Sequence, residues 1–343
     1  MCIRDSLRAD LPLTYFAGGG NPEYWLDQLV AFINRAKDEL VTPDDFDTFV
    51  ARERDVFEER YGDYEIARAR VEAQGNLKPL REIRSAYAAV RRAERAEEAS
   101  DDTAEPDFTK VEKVADREAR RAVAGDGRAH SRKDFDEAEL PEIDALTETY
   151  VADGAALEVM RLTELGIVYR AYQEELAQRG TLDFGEQISL VTRLFKQKPN
   201  VLRRYQRSYR YLLVDEFQDA NIAQIELIEL LGRTPDRPDN VMVVGDDDQS
   251  IYRFRGASYA AFVEFDHRFS GPPAHDPDGP APGPPQRLRL EDNFRSVEPV
   301  LAVANRLIDH NDLRYEPDKV LRPTRGPGEP VALIVATDAE DEA

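Results

Sequence analysis

Two short apolar runs, each stopping abruptly at acid, stand out along an otherwise polar chain. Tyr211-Leu212-Leu213-Val214 leads straight into Asp215 and Glu216, and Val241-Met242-Val243-Val244 leads into Gly245 and the acids Asp246, Asp247 and Asp248. A continuous apolar run of this length, bounded by polar residues, suits a strand buried on both faces of a parallel sheet. Between them, Ala220 to Leu231 sets Ile222, Ile225 and Ile228 on one helical face with Leu231, and Asn221 or Asp219 stands where an N-cap is needed. Strand, helix and strand in that order form a βαβ unit, which places the chain in the α/β class with a parallel sheet.

The residues ahead of this unit read as helices. Asn21 to Leu40 carries Trp25, Leu29, Phe32 and Ile33 at helical spacing, and Thr42-Pro43 opens a second helix with Asp44 and Asp45 in its first turn. Arg52 to Glu98 is long and charged, predicting one or two exposed helices broken at Gly75-Asn76 or Pro79. Glu94 to Glu148 is acidic and poor in large apolar residues, which predicts disorder or a solvated helix. Leu157 to Leu176 has a stripe of Val159, Leu162, Leu165, Val168, Tyr169 and Tyr172 with Gly180 as its stop, and Thr181 to Phe195 starts a further helix behind an Asp or Thr cap, Asp183 taking the capping role. Beyond the βαβ unit, Gly271 to Pro285 is a Pro/Gly linker without capacity for a core. Leu288 to Leu290 then reads as a short strand, Ser296 as the cap of a helix from Val297 to Asp309 with Val300, Val303, Ala304 and Leu307 inward, and Val331 to Ala336 as another strand.

Composition narrows the class. A chain of 343 residues is enough for about two to three domains, and 41% hydrophobic with 33% charged residues describes a soluble globular protein. No apolar run approaches the roughly 20 residues of a membrane span, and the N-terminus has no secretory pattern. A single Cys2 excludes an intramolecular disulfide and a cysteine-based zinc site, so the cytoplasm is the expected compartment. The net charge of −22 counts against a nucleic-acid binder, because phosphate contacts need Lys and Arg. Much of that acid is concentrated in Glu94 to Glu148, however, and a narrow groove is governed by its local field rather than by the whole chain.

Adjacent acids at the carboxyl end of a buried strand have a chemical use. One can hold Mg²⁺, directly or through water, while the next positions or deprotonates a water attacking a phosphate. The alternative is a strand followed by a solvated acidic turn. VDEFQD, VVGDDDQSIYRFRGA and LEDNFRS (Leu290 to Ser296), in that order, resemble motifs II, III and IV of the UvrD/Rep/PcrA family, superfamily 1 DNA helicases that track 3′ to 5′ on single strands. The resemblance covers about Leu182 to Ile308, with a looser one over Trp25 to Phe46, where FINRAKDELVTPDDF is similar to the start of the family's inserted 1B subdomain.

The resemblance implies an α/β, RecA-like (P-loop NTPase) parallel sheet, incomplete in this chain, with a largely helical 1B subdomain. It implies a non-native or disordered start over 1–20, a 1B-like region over 21–165 with an acidic insertion at about 94–148, the later part of domain 1A over 166–270, a linker over 271–285 and the start of domain 2A over 286–343. It implies ATP and Mg²⁺ as cofactors, with Asp215 on the metal, Glu216 activating water, Gln249 sensing the γ-phosphate and Arg295 reaching that phosphate from the second RecA-like domain. Gln218 matches a position that relays between sites, and Asp246 to Asp248 are structural, facing solvent or cations because three acids cannot all be buried and ionised. Tyr252, Arg253, Phe254 and Arg255 form the DNA side, where aromatic and guanidinium groups stack on bases without reading sequence; Tyr252 and Phe254 as core aromatics are the alternative.

The family's Walker A loop is absent, since the sequence has no Gly-Lys dipeptide, and motifs V and VI are not found. The expectation is therefore an internal piece of an ATP-dependent helicase acting on single-stranded and duplex DNA in repair, replication or recombination, without ATPase activity of its own. No membrane association is expected, and the acidic insertion reads first as a solvated insertion, with docking of repair-protein partners as the alternative. The alternatives are a subunit of a helicase–nuclease of the RecB/AddA kind and a non-catalytic scaffold with a degenerate ATPase half.

Overall fold

The computed structural model describes residues 11, 13–16, 22–74, 76–100, 106–125, 127–234, 240–250, 260–270, 284–311 and 314–332. They fall into two compact units. One comprises residues 1–34 and 41–182, the other 35–40 and 183–343.

The first unit is built on a single long helix. The helices are α1 (Pro22–Asp38, whose last turn belongs to the second unit), α2 (Pro43–Tyr61), α3 (Tyr64–Ala73), α4 (Lys78–Ser100), α5 (Thr109–Ala124) and α6 (Leu140–Arg179). Helix α6 runs for 40 residues, about 60 Å at 1.5 Å per residue, and α2, α3, α4 and α5 pack along it. Its middle is buried on every side, with Leu157, Val159, Leu162, Leu165, Val168, Tyr169 and Tyr172 as core and Gly180 in left-handed backbone at its end, as the spacing predicts. The helix begins earlier than expected, at Leu140, because Ile143, Val151, Ala155 and Ala156 also find partners. Thr42 caps α2 in a capping box with Asp45. Upstream, the backbone N–H groups of Thr14, Tyr15 and Phe16 all donate to the carboxylate of Glu164, and the Tyr15 and Phe16 rings are buried.

Among its described residues the acidic stretch over Glu94 to Glu148 is folded, with a buried packing face where disorder or a solvated helix is expected. Val111, Ala115 and Ala119 recur every fourth residue on α5 and are fully buried, so small side chains supply the packing face that large ones usually provide. Its acids are answered by arginine: Arg120 and Arg132 meet Asp116, Arg132 also meets Asp144, and Arg117 and Arg121 both meet Glu118.

The second unit carries the sheet. Its elements are α7 (Phe184–Gln197), α8 (Pro199–Ser208), β1 (Leu212–Val214), α9 (Ile222–Gly232), β2 (Val241–Val243), α10 (Ala260–Ser270), β3 (Asp292–Asn293), α11 (Glu298–Ile308) and β4 (Arg322–Pro323). Strands β1 and β2 pair in parallel, Leu212 opposite Val241 and Val214 opposite Val243. Asn221 caps α9 with Gln224 in a capping box, and Asp183 caps α7 by accepting from the Glu186 N–H at 2.7 Å. The α1 tail docks here: Lys37, 1% exposed, meets Asp183 at 2.6 Å and Glu186 at 3.2 Å, and the Asn221 side chain donates to Asp38 at 2.6 Å.

One face of the β1–β2 pair covers a core of Phe217, Ala220, Ile225, Ala261, Phe265 and Phe269. The other is open, with Leu213 73% and Met242 51% exposed, so the expected burial on both faces holds on one only. Three further expectations are corrected. Leu288 and Leu290 are exposed and outside any strand; the pairing falls instead at Asp292 and Asn293, parallel to Arg322 and Pro323. Val297 rather than Ser296 is the N-cap of α11, and Leu301 is its buried residue, while Val300, Val303 and Leu307 are exposed. Val331 and Ala332 are not in a strand, and the rest of that expected strand, like the linker up to Gly283, lies outside the described residues.

The α4–α6 crossing leaves no room at Gly154, where a Cβ would stand 2.5 Å from Ile83 Cγ2 and 3.3 Å from the Arg84 backbone nitrogen. Gly154→Val is expected to cost about 1–3 kcal/mol by overpacking, read as a lower urea midpoint. Combined with Ile83→Ala it should cost less than the two single changes added together, because the second removes the group struck by the first. An unchanged midpoint would show that the helices separate freely.

Candidate functional site

The acids at the end of β1 are presented by an unusual backbone. Asp215 and Glu216 are exposed, and Glu216 adopts left-handed φ and ψ of 51° and 42°. A non-glycine residue there costs about 1–2 kcal/mol, so neighbouring bonds must hold it. The Glu216 N–H donates to Asp215 Oδ1 at 2.9 Å, and the Phe217 N–H donates to the Val244 carbonyl at 2.9 Å, locking the turn to the end of β2.

Gln218 joins the two strand ends. It is 2% exposed; its Nε2 donates to Glu216 Oε2 at 2.7 Å and its Oε1 accepts from the Asp246 N–H at 3.0 Å. Asp246 in turn accepts from Gln249 Nε2 at 2.8 Å. A chain of bonds thus runs Glu216, Gln218, Asp246, Gln249. Gly245 is required beside it, since a Cβ would lie 2.5 Å from Gln218 Oε1 and 3.0 Å from the Phe217 nitrogen. Asp215, Glu216, Gln218 and Gln249 are therefore brought together.

The triple acid meets cations that sequence reasoning missed. Arg314 takes Asp248 with both Nε and Nη2, at 2.9 and 2.8 Å. Lys319 reaches Asp248 at 2.8 Å and Asp247 at 3.2 Å and also bonds Asp246, while the Tyr315 N–H donates to Asp247 at 2.6 Å. The Tyr315 ring stacks on Phe262 of α10 at 5.2 Å. Although carboxylate oxygens of the three acids lie within 4.8 Å of one another, two protein cations already bond to all three, so this cluster does not fit a metal. Asp215 and Glu216 fit Mg²⁺ better: they are exposed carboxylates at a strand end, and Mg²⁺ is usually held by one or two such groups with several waters. Arg314 and Lys319 lie more than 60 residues from their partners, and the only signal toward them was that three adjacent acids need compensating charge.

Arg295 stands exposed in the turn after β3 and makes no hydrogen bond or ion pair with Asp215, Glu216 or Gln249 among the described residues. Its backbone is held, the N–H by Asn293 Oδ1 at 3.0 Å and the carbonyl by Arg325 at 2.8 Å. Tyr252, Arg253, Phe254 and Arg255 lie outside the described residues.

Parallel strands delivering acids to one end, with a helix between them, define an α/β architecture whose ligand position lies beyond the carboxyl ends of the strands. Residues 91–270 match the family described as the UvrD/REP helicase N-terminal domain, and the chain belongs to that family. It is 39% identical over 176 residues to the ATP-dependent DNA helicase PcrA of Leuconostoc citreum, covering 51% of this chain and 21% of that protein. It is 38% identical over 176 residues to DNA helicase II of Escherichia coli, covering 51% and 22%, and 35% identical over 192 residues to a probable DNA helicase II homolog of Rickettsia felis, covering 56% and 26%. The chain thus spans about a fifth to a quarter of the length of these relatives. The RecA-like α/β class expected from the sequence agrees with this membership and with the parallel pairing. No helix among the described residues is long and apolar enough to cross a membrane.

The clamp on the triple acid makes stability depend on pH at both extremes. Burial disfavours the Asp248 carboxylate, but the Arg314 and Lys319 bonds outweigh it and hold its pKa below the ordinary 3.8. Burial likewise disfavours the Lys319 ammonium, but its bonds to Asp246 and Asp248 outweigh it and raise its pKa above 10.5. The Asp248 contribution is present above pH 3.8 and lost as pH falls through the depressed value; the Lys319 contribution is present below pH 10.5 and lost as pH rises through the raised one. Urea midpoints measured against pH should therefore lose the alkaline limb in Lys319→Gln relative to the unaltered chain, and an identical alkaline limb would count against the clamp.

Proposed function

We propose that this chain is part of an ATP-dependent DNA helicase that couples ATP hydrolysis to 3′–5′ movement along single-stranded DNA and to duplex unwinding, in repair, replication or recombination. The observation that carries the reading is the bond chain from Glu216 through Gln218 and Asp246 to Gln249, which ties the end of one parallel strand to the end of the other. Such a chain suits an ATPase in which a change at the phosphate must be felt on a neighbouring loop. Mg²⁺ with bound ATP supplies charge neutralisation of the phosphates. On this chain, Asp215 holds the metal, Glu216 orients and takes a proton from water, and Gln249 reads the γ-phosphate.

Arg295 approaches that phosphate from the region that follows residue 285, in the arginine-finger part, and Tyr252 to Arg255 form the DNA-contacting loop. The helical region over 21–165 is 1B, that over 166–270 the later part of 1A, and that over 286–343 the beginning of 2A. The chain as it stands, with no Gly-Lys dipeptide, hydrolyses no ATP.

In a full-length protein carrying this sequence, Glu216→Gln is expected to lower ATP turnover by at least about a hundredfold, the range of general-base catalysis, while leaving nucleotide binding in place. Stopped turnover with retained binding of a fluorescent ATP analogue is the expected result. Hydrolysis at the unaltered rate would remove Glu216 from this role.

A further inference from the structure

The sequence from Gln187 to Val214 contains no Asp or Glu and seven cations: Arg193, Lys196, Lys198, Arg203, Arg204, Arg207 and Arg210. All seven are exposed, in a chain of net charge −22. Elsewhere in the molecule exposed arginine is repeatedly matched with acid, as at Arg35, Arg68 and Arg132. Here only Lys196 has a carboxylate partner among the described residues, Glu226 at 2.7 Å. Seven cations close together repel one another, and in a protein with an excess of acid six of them have no carboxylate partner among the described residues.

The geometry presents the charge outward. Gln206 is buried and anchors α8 by donating to the carbonyls of Leu230 and Arg233, at 2.7 and 3.1 Å. Arg203, Arg204 and Arg207, at i, i+1 and i+4, remain on the exposed side, with Arg210 following the helix. Tyr211, a strongly exposed aromatic, stands next to Arg210 and just ahead of β1. Asp215 and Glu216 lie at the opposite end of β1, so the basic surface is separate from the candidate hydrolytic site and from the sequence of the Tyr252–Arg255 loop.

We propose that α8 and its flanks are a second nucleic-acid contact, binding phosphates of a strand that the proposed helicase handles. This rests on the reading of the protein as a nucleic-acid motor and adds to it a site and a chemistry. Guanidinium forks match phosphate oxygens two at a time, and a row of them on a helix tracks a backbone without reading sequence. An exposed tyrosine among them adds a stacking face for unpaired bases.

The test is binding of a fluorescent oligothymidylate of about 20 nucleotides to the 343-residue chain, followed by anisotropy between about 50 and 200 mM salt. The triple variant Arg203→Gln, Arg204→Gln, Arg207→Gln keeps helix propensity and removes three charges. It is expected to bind at least about tenfold more weakly at the lower salt, and its log–log salt slope should flatten by about 2, at roughly 0.7 per phosphate contact on a single strand. The corresponding triple Lys variant, which keeps the charges, should retain most of the binding, and both should keep the far-ultraviolet circular dichroism of the unaltered chain. Binding and slope unchanged in the Gln variant would overturn the inference and leave the helicase reading standing. No binding by the unaltered chain would overturn both. Unchanged oligothymidylate binding with lost binding of polyglutamate would assign the surface to an acidic protein and overturn the nucleic-acid assignment.

Discussion

A primary amide shut away from water must satisfy both its ends, and Gln218 does so by spanning two loops that are far apart in sequence. Its NH₂ goes to Glu216 and its oxygen to the Asp246 N–H. Leaving either end unmet in a buried place would cost about 1–3 kcal/mol, so the amide specifies how the end of β1 faces the end of β2. The surrounding features follow from that demand. Gly245 is small because the amide oxygen fills the space a side chain would need, and the left-handed backbone of Glu216 is held where its carboxylate meets Gln218. Asp246 passes the constraint on to Gln249 and, through Lys319, to the segment after α11.

The same structure shows how an acid-rich chain remains folded. Acids on α5, on α9 and in the triple cluster each face an arginine or lysine, so local charge is far more balanced than the total. Arg268, for instance, binds Glu226, Glu229 and Glu264 together, and Arg91 with Arg95 holds the buried Glu53. Against that background an acid-free stretch around α8 is a local inversion of sign. Net charge describes solubility and long-range repulsion, whereas contact chemistry is decided patch by patch.

Much of the first-level organisation could be read directly from residues. The caps at Thr42, Asp183 and Asn221 and the stop at Gly180 depend on a few adjacent positions. The two strands and their parallel sense were legible from apolar runs with a helix between them, and with them the positions of Asp215, Glu216 and Gln249 just past the strand ends. The acidic stretch was misjudged because its packing face is made of alanines and a valine, which carry little weight in a hydrophobic pattern yet allow close approach to α6. The inward face of α11 and the strand near Leu290 were misplaced for a related reason: an apolar residue is buried only if something arrives to cover it, and Val300, Val303, Leu288 and Leu290 have no such cover among the described residues.

The sequence by itself determined several caps and stops, the class of sheet and the acids at its edge, because caps, turns and apolar runs act over a few residues. Only the tertiary structure decided that one face of the β1–β2 pair is open, that Lys37 is buried against Asp183, and that Arg314 and Lys319 pair with Asp246 to Asp248. Those facts depend on groups distant along the chain coming within a few ångströms. No local pattern encodes such an encounter, because Coulomb attraction and burial depend on separation in space rather than along the polymer.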